Sequence, residues 1–337
     1  MTPRKVIVVG PRGRTLNPYL ATLVEALNRE GWSTSQIGSH GVPYDAETGR
    51  FLEQAEAMSI ARRLARQVDS ADAAVVVFHI GRLEVEQYVP LFCETRAVRV
   101  LHAHNLSWDL PHLAPGSITE AALIARYRTF FDHLFCFTSF ARARLMSRLG
   151  FTASDVSVIH QPATVPAALP ETNACRDYWP PGNGAMISVL GYASPWKPLK
   201  KLLASAAALT TSIRILIAGA FWTVDAPDEV PCHVRIVDRF FHVAEFGSLI
   251  RQSDFGLLPY VDRSGTFQGS GMLSNYLFLG VPAFVYDHPA LTELMPSPFW
   301  VVPSVGGLEC MDERIRFLTG HLGEYRALLA DWQAHSL

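Results

Sequence analysis

The chain has 337 residues, room for two domains of ordinary size, and at 49% hydrophobic and 18% charged it has the make-up of a packed globular protein. Its 29 basic and 31 acidic side chains leave a net charge of −2, with a pI near 6.6, so no strong field for nucleic acid or an acidic polymer is present. Five cysteines scattered without a CxxC pair argue against a disulfide scaffold and point to a reducing compartment, the cytoplasm.

The opening MTPRKVIVVG passes from two basic residues straight into a short strand, too brief for a signal h-region. No apolar run approaches the roughly 20 residues of a membrane span. A β-branched strand over 5–10, the turn Gly10-Pro11-Arg12-Gly13 and a helix over 18–30 with Leu20, Leu23, Val24 and Leu27 in register make the first unit of a parallel α/β sheet. The turn lacks GxGxxG and reads as a loop at the carboxyl edge of the sheet, where ligands gather. Further strands are expected over 73–78, 99–103, 133–138 and 156–159, with helices over 58–68 and 139–149. Arg62, Arg63 and Arg66 on the first of these helices suit either a solvated face or docking to anionic lipid headgroups.

Prolines at positions 162, 166, 170, 180 and 181 then mark an interdomain linker. Strand and helix alternate again beyond it: strands over 186–190, 213–218 and 234–237, helices over 199–209 and 244–252. The stretch from Ser253 to Glu293 organises this half. It reads as a buried strand over 255–258, a loop of glycines and small hydroxyls from Ser264 to Gly271, a helix entered there, and a strand over 282–285. Such an arrangement turns free backbone N–H groups and a helix N-terminus toward an anion, most often a phosphate or diphosphate. A final amphipathic helix is expected over 311–333.

The order of these pieces carries a resemblance. VLGYASPWKPLKKLLASAAAL, ILIAGA, DRFFHVAEFGSLIRQSDFGLLPY and GSGMLSNYLFLGVPAFVYDHPALTEL together resemble the C-terminal domain of the GT-B glycosyltransferases. The likeness is to the bacterial group 1, family 4-like sugar transferases that build polysaccharides and glycolipids. About 110 residues match well; the first half matches in architecture and in RVLHAHNL, similar to that family's V-x-x-H-D strand end. The implied fold is α/β: two Rossmann-like doubly wound domains facing each other across a cleft. The domains expected are an acceptor domain over 1–165, a linker over 166–184, a donor domain over 185–315, and a helix over 316–337 packing back across the lobes.

The resemblance also implies roles. A nucleoside diphosphate sugar needs a cation or N–H donors where charge develops on the leaving diphosphate. Lys197 matches the family's diphosphate lysine, while Tyr192 replaces the arginine of the same turn. Diphosphate binding then falls on Lys197 and the amides of Gly269, Ser270, Gly271 and Met272, with Ser264 and Gly265 in the loop and Arg263 as the substitute cation. Asn275 stands at the second position of the acidic pair of many retaining members, and Phe267 and Gln268 near the first; Asn275 keeps a hydrogen bond for a ribose. Asp238, Phe240 and Phe241 face the nucleotide base, and Glu293 resembles an acidic helix-start residue. His104 coincides with the family's histidine and, with Asp109, is the candidate for acid–base work. Arg12, Gly13, Arg14 and His79 are candidates at the acceptor.

The function implied is transfer of a sugar from a UDP- or GDP-sugar to a glycan or lipid-linked saccharide, metal-independent and with peripheral contact to the inner membrane face. Neither a metal nor any cofactor beyond the nucleotide sugar is called for. Two alternatives stand beside it: a catalytically inactive nucleotide-sugar binding protein or partner subunit, and a nucleotide-sugar epimerase.

Overall fold

The computed structural model of the chain describes residues 5–11, 17–39, 44–45, 50–51, 59, 62–63, 65–68, 73–79, 95–103, 128–165, 173–191, 193, 197–209, 212–220, 222, 229–260, 270–295, 301–302 and 311–336. Two compact units emerge: Met1–Gln161 with Ser264–Gly269, and Pro162–Arg263 with Ser270–Leu337.

The first unit begins with β1 (Lys5–Pro11), α1 (Asn17–Arg29) and β2 (Ser33–Ser39), and carries a two-residue antiparallel pair, β3 (Tyr44–Asp45) with β4 (Arg50–Phe51). It continues through β5 (Val75–Phe78), β6 (Val98–His102), β7 (His133–Cys136), α2 (Ser139–Leu149) and β8 (Val156–Val158). The six-stranded sheet has the order β2-β1-β5-β6-β7-β8, parallel throughout. Val6 and Val8 of β1, Leu20 of α1 and Phe135 of β7 fill one face of it. Strand runs such as VVVF read as strands because both sheet faces are covered, whereas β2, STSQIGS, carries no such run and lies at the edge. Helix α2 is closed at both ends: the Thr138 hydroxyl accepts from the Ala141 amide at 3.1 Å, and Gly150 ends it at φ 67°.

The second unit contains a 3-10 helix (Asn173–Tyr178), β9 (Ala185–Leu190), α3 (Leu199–Ala207), β10 (Ile213–Gly219), β11 (Val234–Asp238), α4 (Val243–Gln252), β12 (Phe255–Leu258) and α5 (Gly271–Phe278). β13 (Ala283–Tyr286), α6 (Pro289–Thr292), β14 (Val301–Val302), α7 (Met311–Gly320) and α8 (Leu322–Ser336) complete it. The strand order is β11-β10-β9-β12-β13-β14, again parallel. The chain winds outward from β9 in one direction and from β12 in the other, so the topological switch lies between those strands, the place where such sheets bind ligands at their carboxyl ends. Part of the proline-bearing stretch expected to be irregular linker is built into this core: it forms the 3-10 helix, and Cys175 and Trp179 are buried among the core residues. The expected final helix is two, α7 and α8. Leu329 of α8 joins the same core, and the Gln333 amide donates to the Leu277 carbonyl at 2.5 Å and the Phe278 carbonyl at 2.8 Å, satisfying the carboxyl end of α5.

Helix α5 is positioned by more than apolar contact. The Tyr276 ring packs directly on Gly256 of β12, where a Cβ would meet the ring at 2.6 Å, so a side chain there would lift the helix off the sheet. Its hydroxyl, wholly buried, donates to the Ser188 carbonyl at 3.1 Å and stands 2.7 Å from the Ser188 hydroxyl, which in turn stands 2.6 Å from the Ser253 hydroxyl. The Ser253 hydroxyl donates to the Leu249 carbonyl at 2.7 Å, which ties α4 into the same network. Among the described residues no helix is long and apolar enough to cross a membrane.

Candidate functional site

At the switch of the second sheet, β9 ends at Leu190 and the next residue, Gly191, has φ 104°, a left-handed turn natural for glycine. A Cβ on Gly191 would stand 3.2 Å from Lys197 Nζ and 3.5 Å from Met272 Cγ, so the ammonium group and the first turn of α5 converge over this one bare backbone position. The neighbouring backbone is equally close: a Cβ on Gly219, at φ 147°, would fall 1.9 Å from the Gly191 carbonyl oxygen. That oxygen accepts a hydrogen bond from the Trp222 indole at 2.8 Å.

Lys197 is only 8% exposed. Its ammonium donates to the Leu190 carbonyl at 3.4 Å and lies 5.5 Å from the Trp222 ring centroid and 5.4 Å from that of Tyr260, between two aromatic faces. Burial lowers its pKa from 10.5 to about 7. It also precedes α3, whose N-terminal dipole opposes a cation. Tyr260 stands 3.2 Å from the Ser270 hydroxyl, and burial raises its pKa. Ser270 caps α5, its hydroxyl accepting from the Leu273 amide at 3.3 Å. Gly271 and Met272 lie in the first turn, whose amides have no acceptor inside the helix. A half-charged lysine and an amide-rich helix start on one glycine make a site suited to a compact polyanion.

The structure thus brings together Lys197, Ser270, Gly271 and Met272. Asn275 sits one turn further along α5 but is engaged elsewhere: its carbonyl oxygen accepts from the Thr164 amide at 2.7 Å and the Val165 amide at 3.3 Å, and its NH2 donates to the Thr164 hydroxyl at 3.2 Å. At 4% exposure it clamps the chain where the second unit begins. Asp238 ends β11, in register with Gly219. Phe240 is exposed, while Phe241 packs inward against Phe246 and Tyr178. Glu293 is exposed at the carboxyl end of α6, and the residue capping the start of that helix is His288, whose Nδ1 accepts from the Ala290 amide at 3.2 Å.

In the first unit, His79 follows β5 and is 2% exposed, in a packed cluster. Its Nδ1 faces Nδ1 of His102, at the end of β6, and the Tyr19 ring lies tilted against both, its centroid 5.0 Å from each. One imidazole must carry its proton on Nδ1 while the other accepts, so the two cannot both be charged. Arg12, Gly13, Arg14, His104, Asp109, Tyr192, Arg263, Ser264, Gly265 and Gly269 lie outside the described residues.

Two participants were missed by reading the sequence. Trp222 and Tyr260 flank Lys197, and nothing in their local sequence signals it, because each reaches the lysine from a different strand end. The third surprise is Arg239, inside the expected base-binding segment. Its guanidinium lies 4.0 Å from the Phe241 ring centroid, donates to the Tyr178 hydroxyl at 2.8 Å and pairs with Glu245 at 2.5 Å. Hydrogen bonding to Glu245 raises the Arg239 pKa, and Glu245 in turn holds the His242 amide at 2.8 Å as the capping box of α4.

No protein-family model matches the chain, and no curated protein matches it. Solved structures do. The chain is similar to Anabaena HepE in complex with UDP-glucose, at TM-score 0.66 and 11% identity over 98% of this chain and 93% of that one. Sucrose-phosphate synthase from Thermosynechococcus elongatus superposes at TM-score 0.68 and 12% identity, over 98% and 96% of the two chains. The lipopolysaccharide outer core galactosyltransferase WaaB, in its apo form, gives 0.59 at 12%, over 97% and 94%. These neighbours are GT-B glycosyltransferases, and the fold of this chain is GT-B, with a Rossmann-like sheet in each unit.

Proposed function

We propose that the chain is a glycosyltransferase that holds a UDP- or GDP-sugar at the switch of its second sheet and transfers the sugar to a glycan or lipid-linked saccharide. The observation that carries this reading is the convergence of Lys197 Nζ and the start of α5 over Gly191. As the glycosidic bond breaks, negative charge collects on the leaving diphosphate. The Lys197 ammonium, protonated from solvent once a diphosphate is seated beside it, and the helix amides meet that charge without reorganising. HepE, of the same fold, binds UDP-glucose, in keeping with a nucleotide-sugar donor. Synthesis of a polysaccharide or glycolipid in the cytoplasm is the setting these substrates fit.

A second reading rests on Asn275. With its amide committed to Thr164 and Val165 and no carboxylate at its position, the chain would serve as a nucleotide-sugar binding subunit without turnover. The two separate in one experiment: incubation with a panel of UDP- and GDP-sugars and saccharide acceptors, following free nucleotide. A transferase releases UDP or GDP, and Lys197→Met lowers that release by on the order of 10²-fold. Binding without release across the acceptors supports the inactive subunit, and no binding of either nucleotide refutes both readings.

A further inference from the structure

The end of the second sheet opposite Lys197 holds a cavity of 560 Å³ into which Arg176, Arg214, Arg251 and Arg326 all project, alongside Asp254 and Trp179. Four elements supply the arginines: the last turn of the 3-10 helix, the start of β10, the end of α4 and α8. Asp254 is the one carboxylate among the described lining residues, and it is partly spent. One of its oxygens accepts from the Met186 amide at 2.9 Å, and the other stands 4.0 Å from Arg326. Arg214 uses one donor on the Gly184 carbonyl at 3.1 Å, which fixes its stem in the wall. The Trp179 indole is likewise fixed, donating to Gln252 at 3.0 Å, and gives the cavity an aromatic side.

We propose that this cavity is a second binding site, for a small molecule bearing a phosphate or diphosphate. The lining carries four guanidinium groups and one carboxylate, an excess of positive charge that an anion seated among them would offset. The planar fork of arginine matches phosphate oxygens two at a time, a fit that lysine does not offer. The volume exceeds that of a bare phosphate and falls in the range of roughly 300–1,000 Å³ common to metabolite sites. A lipid surface would require these arginines on a convex face, whereas they line a concavity.

The site is separate from that of Lys197. Met186 at its wall is the second residue of β9 and Lys197 lies beyond the far end of that strand, a span of about 13 Å or more at roughly 3.3 Å per residue. It also stands independently of the transferase reading, since it would bind its ligand whether or not the chain turns over a nucleotide sugar.

The test is calorimetric titration of the full chain carrying Lys197→Met, which disables the other site while keeping side-chain volume. The probes are inorganic phosphate, pyrophosphate and glucose 6-phosphate. Saturable binding at one site is expected, tightest for pyrophosphate, which can engage more of the arginine forks than a single phosphate. Arg176→Gln or Arg251→Gln, both at exposed positions, should each weaken it by about tenfold, with melting temperature unchanged. Arg326→Gln serves as a third variant should either of those fail to fold. Equal affinity in the arginine variants, or no binding of any probe once Lys197 is replaced, overturns the proposal. So does co-sedimentation with phosphatidylglycerol vesicles in the absence of binding to the soluble probes.

Discussion

Replacing Lys197 by methionine should stabilise the folded chain while crippling its grip on a nucleotide, and the size of both effects follows from the burial of one ammonium group. Its pKa falls from 10.5 to about 7 on folding, and a difference of that size corresponds to roughly 5 kcal/mol against the charged form. The cation–π contacts with Trp222 and Tyr260 return about 0.5–2 kcal/mol of this, so a gain of roughly 3 kcal/mol is expected for Lys197→Met at about pH 6. Below about pH 7 the lysine is protonated in the folded and unfolded chain alike, and the whole penalty is felt. Between about pH 7 and 10.5 only the unfolded chain keeps the proton, so stability of the parent climbs with pH and the advantage of the variant fades. Urea denaturation of parent and variant across that range measures the gap. A diphosphate reverses the burial effect by drawing the proton back. UDP binding at about pH 8.5 should take up close to one proton, seen as a dependence of the binding heat on the ionisation enthalpy of the buffer, and that uptake should vanish in Lys197→Met. A variant no more stable than the parent at about pH 6, or UDP binding with no proton uptake, would refute the electrostatic account of the site.

Gly219→Ala should cost roughly 3 kcal/mol or more, because its Cβ would fall 1.9 Å from the Gly191 oxygen at φ 147°. Gly280→Ala, at φ 73° with nothing within 4 Å, should cost only about 1–2 kcal/mol; equal losses in denaturant melts would show that the Gly191–Gly219 approach is not tight. Asn275→Ala strands the Thr164 and Val165 amides and should destabilise by roughly 1–3 kcal/mol, while Asn275→Asp keeps an acceptor and loses less. An Asn275→Ala chain as stable as the parent would mean the clamp contributes nothing. Tyr276→Phe removes two hydroxyl contacts to Ser188 and should cost about 1–2 kcal/mol, read from the urea midpoint.

How far the sequence could be read depended on whether a signal was local. The runs VVVF, ILIAG and FGLL are apolar without a break because both sheet faces are covered, and each is a strand where periodicity placed it. β2 escaped because an edge strand can be polar. Lys197 and the α5 start were legible as separate features, one a turn lysine and the other a glycine-rich helix entry. That they meet over Gly191 is a property of strand order, which brings β9 beside β12 across some 65 residues of intervening chain. Trp222 and the cavity arginines depend on the same long-range placement. Asn275 shows the converse: its motif position gave no sign of the hydrogen bonds it accepts from the backbone at Thr164 and Val165, 111 and 110 residues away.

The hydroxyls of Ser188, Ser253 and Tyr276 have a further consequence. A helix seated on a sheet by hydrocarbon alone can roll several degrees about its axis at little cost, since apolar contact has no preferred direction. Hydrogen-bonding contacts do have one, and the two that the buried Tyr276 hydroxyl makes to Ser188, itself held by Ser253, set the rotation of α5 as teeth set a gear. Whatever settles on the amides at the head of that helix meets the same orientation at every encounter, so selectivity there is inherited from a lock one and a half turns below, out of reach of solvent and of the ligand itself.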